Sequence, residues 1–200
     1  RDFLKTWGVG AMALASPGWA PGIIQSLQAQ ERTQPHGANR SRTTVAEDVG
    51  AWVEKLRYED LPPKIVEKAK RVLLDTVGCA LGAIHAAPVR FAQQTVFFQG
   101  GNPQATVLGL GRKVSCDQAA FLNGMAIRYL DYNDYAALGD PNHCSINVAP
   151  ALAVAEMRGL TGKDLLLGIT AGYEVQLRLR DAIAGGSQGR GWDVGTITTN

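Results

Sequence analysis

Apolar residues recur at intervals of three and four from Thr43 onward, which is the spacing of amphipathic helices. The first predicted helix ends near residues 57 to 60. Its apolar stripe consists of Val45, Val49, Trp52, Val53 and Leu56. A second helix begins at Pro62 and Pro63, because proline suits a first helical turn, and runs to about Ala83. Its predicted stripe consists of Ile65, Ala69, Val72, Leu73, Val77, Ala80 and Leu81.

Shorter elements follow this pair. The pattern predicts a third helix over residues 89–99, ended by two glycines, and then the best strand candidate of the chain at residues 105–109. Ser115 and Gln118 match a capping box, so a fourth helix starts there and ends at residues 131–134. Its stripe consists of Ala119, Leu122, Ala126, Ile127 and Leu130.

Two more helices complete the predicted body. One begins near residues 145–147, and Thr161 and Asp164 cap the last, which runs to about Ala184. The sum is an all-α fold, a helical bundle-like domain over residues 43–200 with short connections.

The two ends of the chain differ from this body. Residues 1–20 combine a basic start, a short apolar run and a small-residue exit, which predicts a truncated, twin-arginine-like signal peptide; an amphipathic first helix is the alternative. Residues 21–42 bury too little to offset their ordering entropy and are predicted to be a flexible linker. The leader favours the periplasm, with the cytoplasm as the alternative. The glycine-rich stretch at residues 185–191 is unlike a domain terminus, so we expect the front part of a longer polypeptide.

Composition narrows the function classes. The chain is 46% hydrophobic and 19% charged, with a net charge of +2 and scattered basic residues, so no nucleic-acid partner is predicted. The longest apolar run, residues 7–15, is far shorter than the ~20 residues of a spanning helix, so no membrane association is expected after signal removal. Cys79, Cys116 and Cys144 form no CxxC pair, and we predict reduced core thiols.

Polar chemistry concentrates in the connection between the fourth and fifth predicted helices. Its chemically active side chains are Asp131, Asn133, Asp134, Tyr135, Asp140, Asn142, His143 and Ser145. His143 falls just before a helix N-terminus, where free N–H groups favour anions and disfavour the imidazolium. A neutral histidine beside an anion pocket suits proton transfer next to a carboxylate. The alternative is that His143 only caps the helix and the acids are solvated.

Two familiar ligand-binding patterns fail in this sequence. The start Asp131-x-Asn133 is that of a calcium loop, but Tyr135 and Asn142 stand at later ligand positions of that pattern. The pair Gly109 and Gly111 lacks the third glycine of a dinucleotide-binding turn. We therefore predict no cofactor and no metal.

Several short segments share their order and approximate spacing with one known family. They are DTVGCA (75–80), NG (123–124), LDYND (130–134), HCS (143–145), ALAVAE (151–156), GYE (172–174) and GW (191–192). In this combination the chain resembles the MmgE/PrpD family, which includes 2-methylcitrate dehydratase, cis-aconitate decarboxylase and iminodisuccinate epimerase. The resemblance implies an incomplete copy of the larger helical domain of that fold, metal-independent proton transfer next to a carboxylate, and a homodimer.

The resemblance also implies residue roles. Asp131 and His143 match the family's active-site Asp and His, with His143 as general acid or base and Asp131 positioning the substrate or His143. We assign substrate binding to the neighbouring Asn133, Asp134, Tyr135 and Ser145.

Departures from the family pattern bear on the reaction. Tyr135 stands where cis-aconitate decarboxylases have a threonine, and about two extra residues separate Asp131 from His143, which counts against decarboxylation of cis-aconitate. Asp193 replaces the histidine of the family's G-[WF]-H turn, and the family's later active-site Lys and Tyr are not among these residues. The 200 residues alone are therefore expected to hold an incomplete site.

The prediction is a dehydratase-like lyase acting on a di- or tricarboxylate such as 2-methylcitrate. An isomerase or epimerase that uses the same proton step is one alternative. A non-catalytic helical binding module is the other. Gly168 and Gly172 share one face of the last helix and would permit close helix contact, within the chain or in a dimer.

Overall fold

The computed structural model describes residues 44–136 and 142–182. The predicted leader and linker, Asp140, and the segment with Gly191, Trp192 and Asp193 lie outside the described residues.

The first helix, α1 (Val45–Lys55), belongs to a compact unit of its own that ends at Leu56. Thr44 caps it, because Glu47 N–H donates to Thr44 Oγ1 at 3.2 Å and the Glu47 carboxylate accepts from Thr44 N–H at 2.6 Å. The helix ends at Lys55, two residues before the predicted end at residues 57 to 60. Of its predicted stripe only Leu56, just after the helix, is buried; Val45 is 72% exposed and α1 itself contains no buried residue.

The second unit begins at Arg57 and carries the remaining elements. In chain order these are a 3-10 turn (Tyr58–Asp60), α2 (Pro63–Ala83), α3 (Ala87–Gln99), β1 (Ala105–Val107), β2 (Arg112–Val114), α4 (Cys116–Tyr129), a second 3-10 turn (Cys144–Asn147), α5 (Val148–Arg158) and α6 (Gly162–Ala182). The described chain is mostly helical with one two-stranded sheet, which confirms the predicted all-α class.

Helix α4 lies at the centre of this unit and packs most extensively on α2 and α5. One core cluster joins these three helices to the start of α3. Its members are Ala80, Ala83, Val89, Ala126, Ile127 and Ala149. Because most of them are alanines, the helix axes approach closely and place the C-terminal end of α4 beside the turn that precedes α5.

The face that α2 buries differs from the prediction. The buried residues are Val66, Ala69, Val72, Thr76, Cys79, Ala80 and Ala83. Ala69, Val72 and Ala80 of the predicted stripe are buried, but Leu81 is 47% exposed, so the buried face is rotated relative to the predicted one. The predicted stripe of α4 is confirmed except for Leu130, which is 45% exposed. The prediction assigned large apolar residues such as Leu81 to the buried face, whereas the closely packed helices bury mainly small side chains there.

The strand prediction is confirmed for residues 105–107. The partner strand β2 was not predicted. β1 pairs with β2 in antiparallel register, with Ala105 opposite Val114. The Asn123 side chain joins this hairpin to α4: its Oδ1 accepts from Leu108 N–H at 2.9 Å, and its Nδ2 donates to Thr106 O at 3.0 Å. These two bonds fix the hairpin on α4.

Capping residues fix the other helix boundaries. The Ser115 and Gln118 capping box is confirmed, as is the Thr161 and Asp164 cap, in which Thr161 Oγ1 donates to Asp164 Oδ2 at 2.7 Å. A Cβ at Gly172 would lie 3.0 Å from Asn147, so α6 approaches the Cys144–Asn147 turn closely at this glycine. Gly168 lies next to open space.

All three cysteines are free thiols, and Cys79 and Cys144 are buried, as predicted, while Cys116 is half-buried. Among the described helices, none is long and apolar enough by itself to cross a membrane; α2 and α3 meet that test only together, as a pair bent by 88°.

Candidate functional site

The C-terminal end of α4 turns sharply into the residues with candidate chemistry. Leu130 closes the helix, and Asp131 follows with φ +51°, in the left-handed region. Aspartate tolerates this conformation better than most residues, since its short polar side chain bonds locally. The turn directs Asp131 and the residues after it toward the segment before α5.

His143 has a defined tautomer in this arrangement. Its Nδ1 lies 2.9 Å from the backbone oxygen of Asp134, and because a carbonyl oxygen only accepts, Nδ1 carries the proton. In the neutral ring the lone pair is therefore on Nε2, which lies 3.6 Å from Asp131 Oδ1. That distance is too long for a hydrogen bond but close enough for the carboxylate to stabilise a proton on Nε2. His143 is thus oriented to accept and return a proton through Nε2.

Arg128 connects the aspartate to the rest of the loop. Its Nη1 donates to Asp131 Oδ1 at 2.9 Å and to Asn133 Oδ1 at 2.8 Å. The Asp131 side chain is 69% exposed, so the guanidinium rather than burial holds it near His143. The sequence reasoning missed Arg128; its spacing of three residues before Asp131, at a helix end, was the available signal.

The carboxylate of Asp134 accepts hydrogen bonds from two other parts of the chain. Its Oδ1 accepts from the backbone N–H of Ser145 at 3.0 Å, and its Oδ2 accepts from the hydroxyl of Tyr173 at 2.9 Å. The sequence predicted a substrate carboxylate at this helix start. In the structure the Ser145 N–H donates its hydrogen bond to the protein's own Asp134 carboxylate instead.

The other predicted site residues divide by exposure. Asn133 and Ser145 are buried, and Asn133 Nδ2 donates to Ser145 Oγ. Tyr135 is exposed and its ring lies 5.2 Å from that of His143, tilted by 58°. The structure thus brings all six predicted residues together. Substrate contact by the four assigned to binding stays a prediction, and Tyr135 is the one with a free surface beside His143.

Helix α6 supplies polar residues that the sequence reasoning gave no role. Burial first, and then the charge and hydrogen bond of Asp134, raise the pKa of Tyr173, so its hydroxyl remains a donor. Gln176 bonds both Asn142 and Asn147, on either side of His143. The sequence signal for both was their spacing: Tyr173 and Gln176 are three residues apart and so lie on one face of the helix.

The thiol next to His143 is not a nucleophile. Burial, reinforced by the charge of Asp134, raises the pKa of Cys144 to about 12 despite the opposing effect of Arg180. Because the thiolate is the reactive form, Cys144 stays inert near neutral pH. The candidate chemistry therefore rests on His143.

Two clefts lie elsewhere in the second unit. One of about 440 Å³ has Thr106, Asn123 and Glu156 among its lining residues, and one of about 540 Å³ lies between α3 and α4. Neither is lined by His143 or Asp131. Within residues 44–136 and 142–182, no group of three His, Cys, Asp or Glu side chains is placed to hold a metal ion.

The sequence of the chain matches one family of known proteins. The family model for the MmgE/PrpD N-terminal domain matches residues 47–200. The chain is 30% identical to cis-aconitate decarboxylase of Homo sapiens over 140 residues, 68% of this chain and 29% of that protein. It is 26% identical to cis-aconitate decarboxylase of Aspergillus terreus over 172 residues, covering 82% and 35%.

A probable 2-methylcitrate dehydratase of Saccharomyces cerevisiae is 27% identical over 165 residues, covering 76% of this chain and 30% of the relative. The chain spans about a third of the length of the curated relatives it matches. The relatives thus carry two names for two reactions, and their similarity to this chain is comparable. Since the family model covers most of the chain, including every element from α2 to α6, the chain belongs to the MmgE/PrpD family.

Proposed function

We propose that this chain forms part of an MmgE/PrpD-type lyase that removes a proton from the carbon next to a carboxylate and eliminates water, acting on a di- or tricarboxylate such as 2-methylcitrate. The orientation of His143 carries the proposal. Its Nδ1–H is held by the Asp134 carbonyl, and its Nε2 lies 3.6 Å from the carboxylate of Asp131, whose side chain is 69% exposed.

The proposed step begins with Nε2 of His143 taking the proton from the substrate carbon. The electron pair of that C–H bond moves toward the adjacent carboxylate and then forms the carbon–carbon double bond, while the hydroxyl on the next carbon takes the proton from the His143 imidazolium and leaves as water. Asp131 stabilises the imidazolium that forms, since its carboxylate lies 3.6 Å from Nε2. Asp134 fixes the ring orientation through its backbone carbonyl.

Decarboxylation is the second candidate. The names of the human and Aspergillus terreus relatives favour it. In that reaction the C–C bond to a carboxylate breaks, carbon dioxide leaves, and an acid returns a proton to the carbon; protonated His143 would be that acid. Tyr135 in place of the threonine that the family resemblance associates with decarboxylation favours dehydration.

Proton NMR in D2O on the complete gene product tests the proposal. The protein and its His143→Gln variant are incubated separately with 2-methylcitrate, citrate, cis-aconitate and a substituted succinate. His85→Gln is the matched control, since His85 is exposed at the turn between α2 and α3. We expect alkene formation, seen as a new downfield methyl singlet from 2-methylcitrate or a vinyl signal from citrate, lost in His143→Gln and retained in His85→Gln.

The alternatives give distinct results. Itaconate-like vinyl signals with loss of a carboxylate indicate decarboxylation. Deuterium incorporation without any alkene product indicates an isomerase or epimerase. Absence of exchange with every compound, from a folded protein, contradicts the lyase proposal and favours a binding module.

A further inference from the structure

Helix α6 carries a buried cation that has no role in the proposed proton transfer. Arg180, in the last turn of α6, is only 5% exposed. Its Nε donates to Asp181 Oδ1 at 2.8 Å and its Nη2 lies 2.7 Å from the same oxygen. Among the described residues, Nη1 of Arg180 is buried without any hydrogen-bond partner. An unpaired buried N–H on a charged group is costly, so native proteins rarely leave one without a reason.

The position of Arg180 on the helix points it toward the candidate site. Tyr173, Gln176 and Arg180 are spaced by three and four residues, so they lie on one face of α6, and all three are buried. Tyr173 donates to Asp134, and Gln176 bonds Asn142 and Asn147. This face therefore packs on the residues around His143, and Arg180 extends it by one turn.

Electrostatics gives the same placement independently. Arg180 opposes the rise in the pKa of Cys144, the residue after His143, so its positive charge acts within the cluster. The anions nearby are already engaged. Asp134 accepts from Ser145 and Tyr173, and Asp181 is 58% exposed and binds only the Nε and Nη2 side of the guanidinium.

We propose that Arg180 is a substrate-binding residue whose Nη1–H donates to a carboxylate of the substrate. This rests on the proposed function, and it makes a second carboxylate a requirement for tight binding. A guanidinium that lacks a partner on one edge is suited to a planar carboxylate, since its N–H groups are fixed in a fork. Arg180 would thereby select di- and tricarboxylates over monocarboxylates.

Binding of tricarballylate, a saturated tricarboxylate that has no hydroxyl to eliminate, tests the proposal by calorimetry. The complete gene product carrying His143→Gln is the parent, so turnover does not interfere. Arg180→Met should weaken tricarballylate binding roughly 10- to 100-fold, as expected for a lost charged hydrogen bond. Arg112→Met, an exposed arginine on β2, is the matched control and should bind as the parent does.

Unchanged affinity in a folded Arg180→Met protein would overturn the proposal. If Arg180→Met does not fold, a crystal structure of the His143→Gln protein with tricarballylate decides: a carboxylate oxygen within hydrogen-bond distance of Nη1 supports the proposal, and a protein group there overturns it. The two proposals fail separately. Arg180-dependent binding without His143-dependent exchange in the unmodified protein contradicts only the reaction, and the reverse contradicts only the role of Arg180.

Discussion

The hydroxyl of Tyr173 donates to Asp134 Oδ2 at 2.9 Å across 39 residues of sequence. Asp134 in turn accepts from His143 Nδ1 through its backbone oxygen. One tyrosine of α6 thus sets the position of the residue that orients His143. The orientation of the candidate base therefore depends on the last helix of the described chain as well as on its own loop.

Removing that hydroxyl should destabilise the fold measurably. Tyr173→Phe leaves the half-buried Asp134 Oδ2 without its donor, so we expect the free energy of unfolding to fall by roughly 1 to 3 kcal/mol. Urea denaturation of the parent and the variant measures this. Tyr132→Phe, at a side chain that is 84% exposed, is the control and should change stability by no more than about 0.5 kcal/mol. Equal effects of the two changes would contradict the role given to Tyr173.

Two substitutions at Asp131 should separate charge from backbone conformation. Asparagine also adopts φ near +51°, so Asp131→Asn should keep stability and lower the His143-dependent exchange rate about tenfold, through loss of the charge beside Nε2. Asp131→Ala should show the same rate loss and unfold about 1 kcal/mol more easily, because alanine is strained there. Deuterium exchange and urea denaturation measure the two effects. An unchanged rate in Asp131→Asn would exclude Asp131 from the proton step.

The stability of the chain should fall in acid partly because of Glu156. Burial raises the pKa of Glu156, but hydrogen bonds from Lys113 and Thr106 together lower it below 4.5. A depressed folded pKa gives stability that is present above the unfolded pKa and is lost as pH falls through the folded one. The unfolding free energy of Glu156→Gln should therefore depend less on pH between about pH 5 and about pH 3 than that of the parent.

The readout for Glu156 is a series of urea denaturations across that pH range. Lys113→Met removes one of the two partners, at 2.8 Å, and should give part of the same flattening. Parallel curves for the parent and Glu156→Gln would show that the carboxylate is not coupled to folding.

Two glycines of the β1–β2 turn offer a matched pair. Both have positive φ, +74° at Gly109 and +61° at Gly111, but a Cβ at Gly109 would lie 2.8 Å from Ile84 Cδ1 whereas nothing lies within 4 Å at Gly111. Gly111→Ala should cost only backbone strain, about 1 kcal/mol, and Gly109→Ala should cost roughly 1 to 3 kcal/mol more. Thermal unfolding of both variants gives the comparison. Equal costs would mean that Ile84 moves freely.

Local signals predicted most of the fold. Ser115, Gln118, Thr161 and Asp164 fixed helix starts through bonds within a few residues, and Pro63 marked a first turn. Non-local packing decided what was missed. The buried face of α2 depends on which side α4 approaches, and the exposed, basic β2 pairs through its backbone, so neither can be deduced from the local apolar pattern.

In the candidate site, too, the local part was predicted and the non-local part was missed. The six predicted residues are close together because they flank one loop, which the sequence displays directly. Tyr173 and Arg180 were missed because their relation to that loop exists only once α6 packs on the Cys144–Asn147 turn. Arg128 lay near enough in sequence, but its bonds depend on the left-handed turn at Asp131.

Two sets of hydrogen bonds join the chain before His143 to the chain around it. Asp134 Oδ1 binds the N–H of Ser145, and Ala136 exchanges backbone hydrogen bonds with Asn142 at 2.9 and 3.3 Å. Because these contacts fix both ends, residues inserted between positions 136 and 142 add only loop-closure entropy, about 0.6 kcal/mol for each doubling of length. A change in the length of this segment therefore leaves the imidazole in place, because neither bonded end has to move.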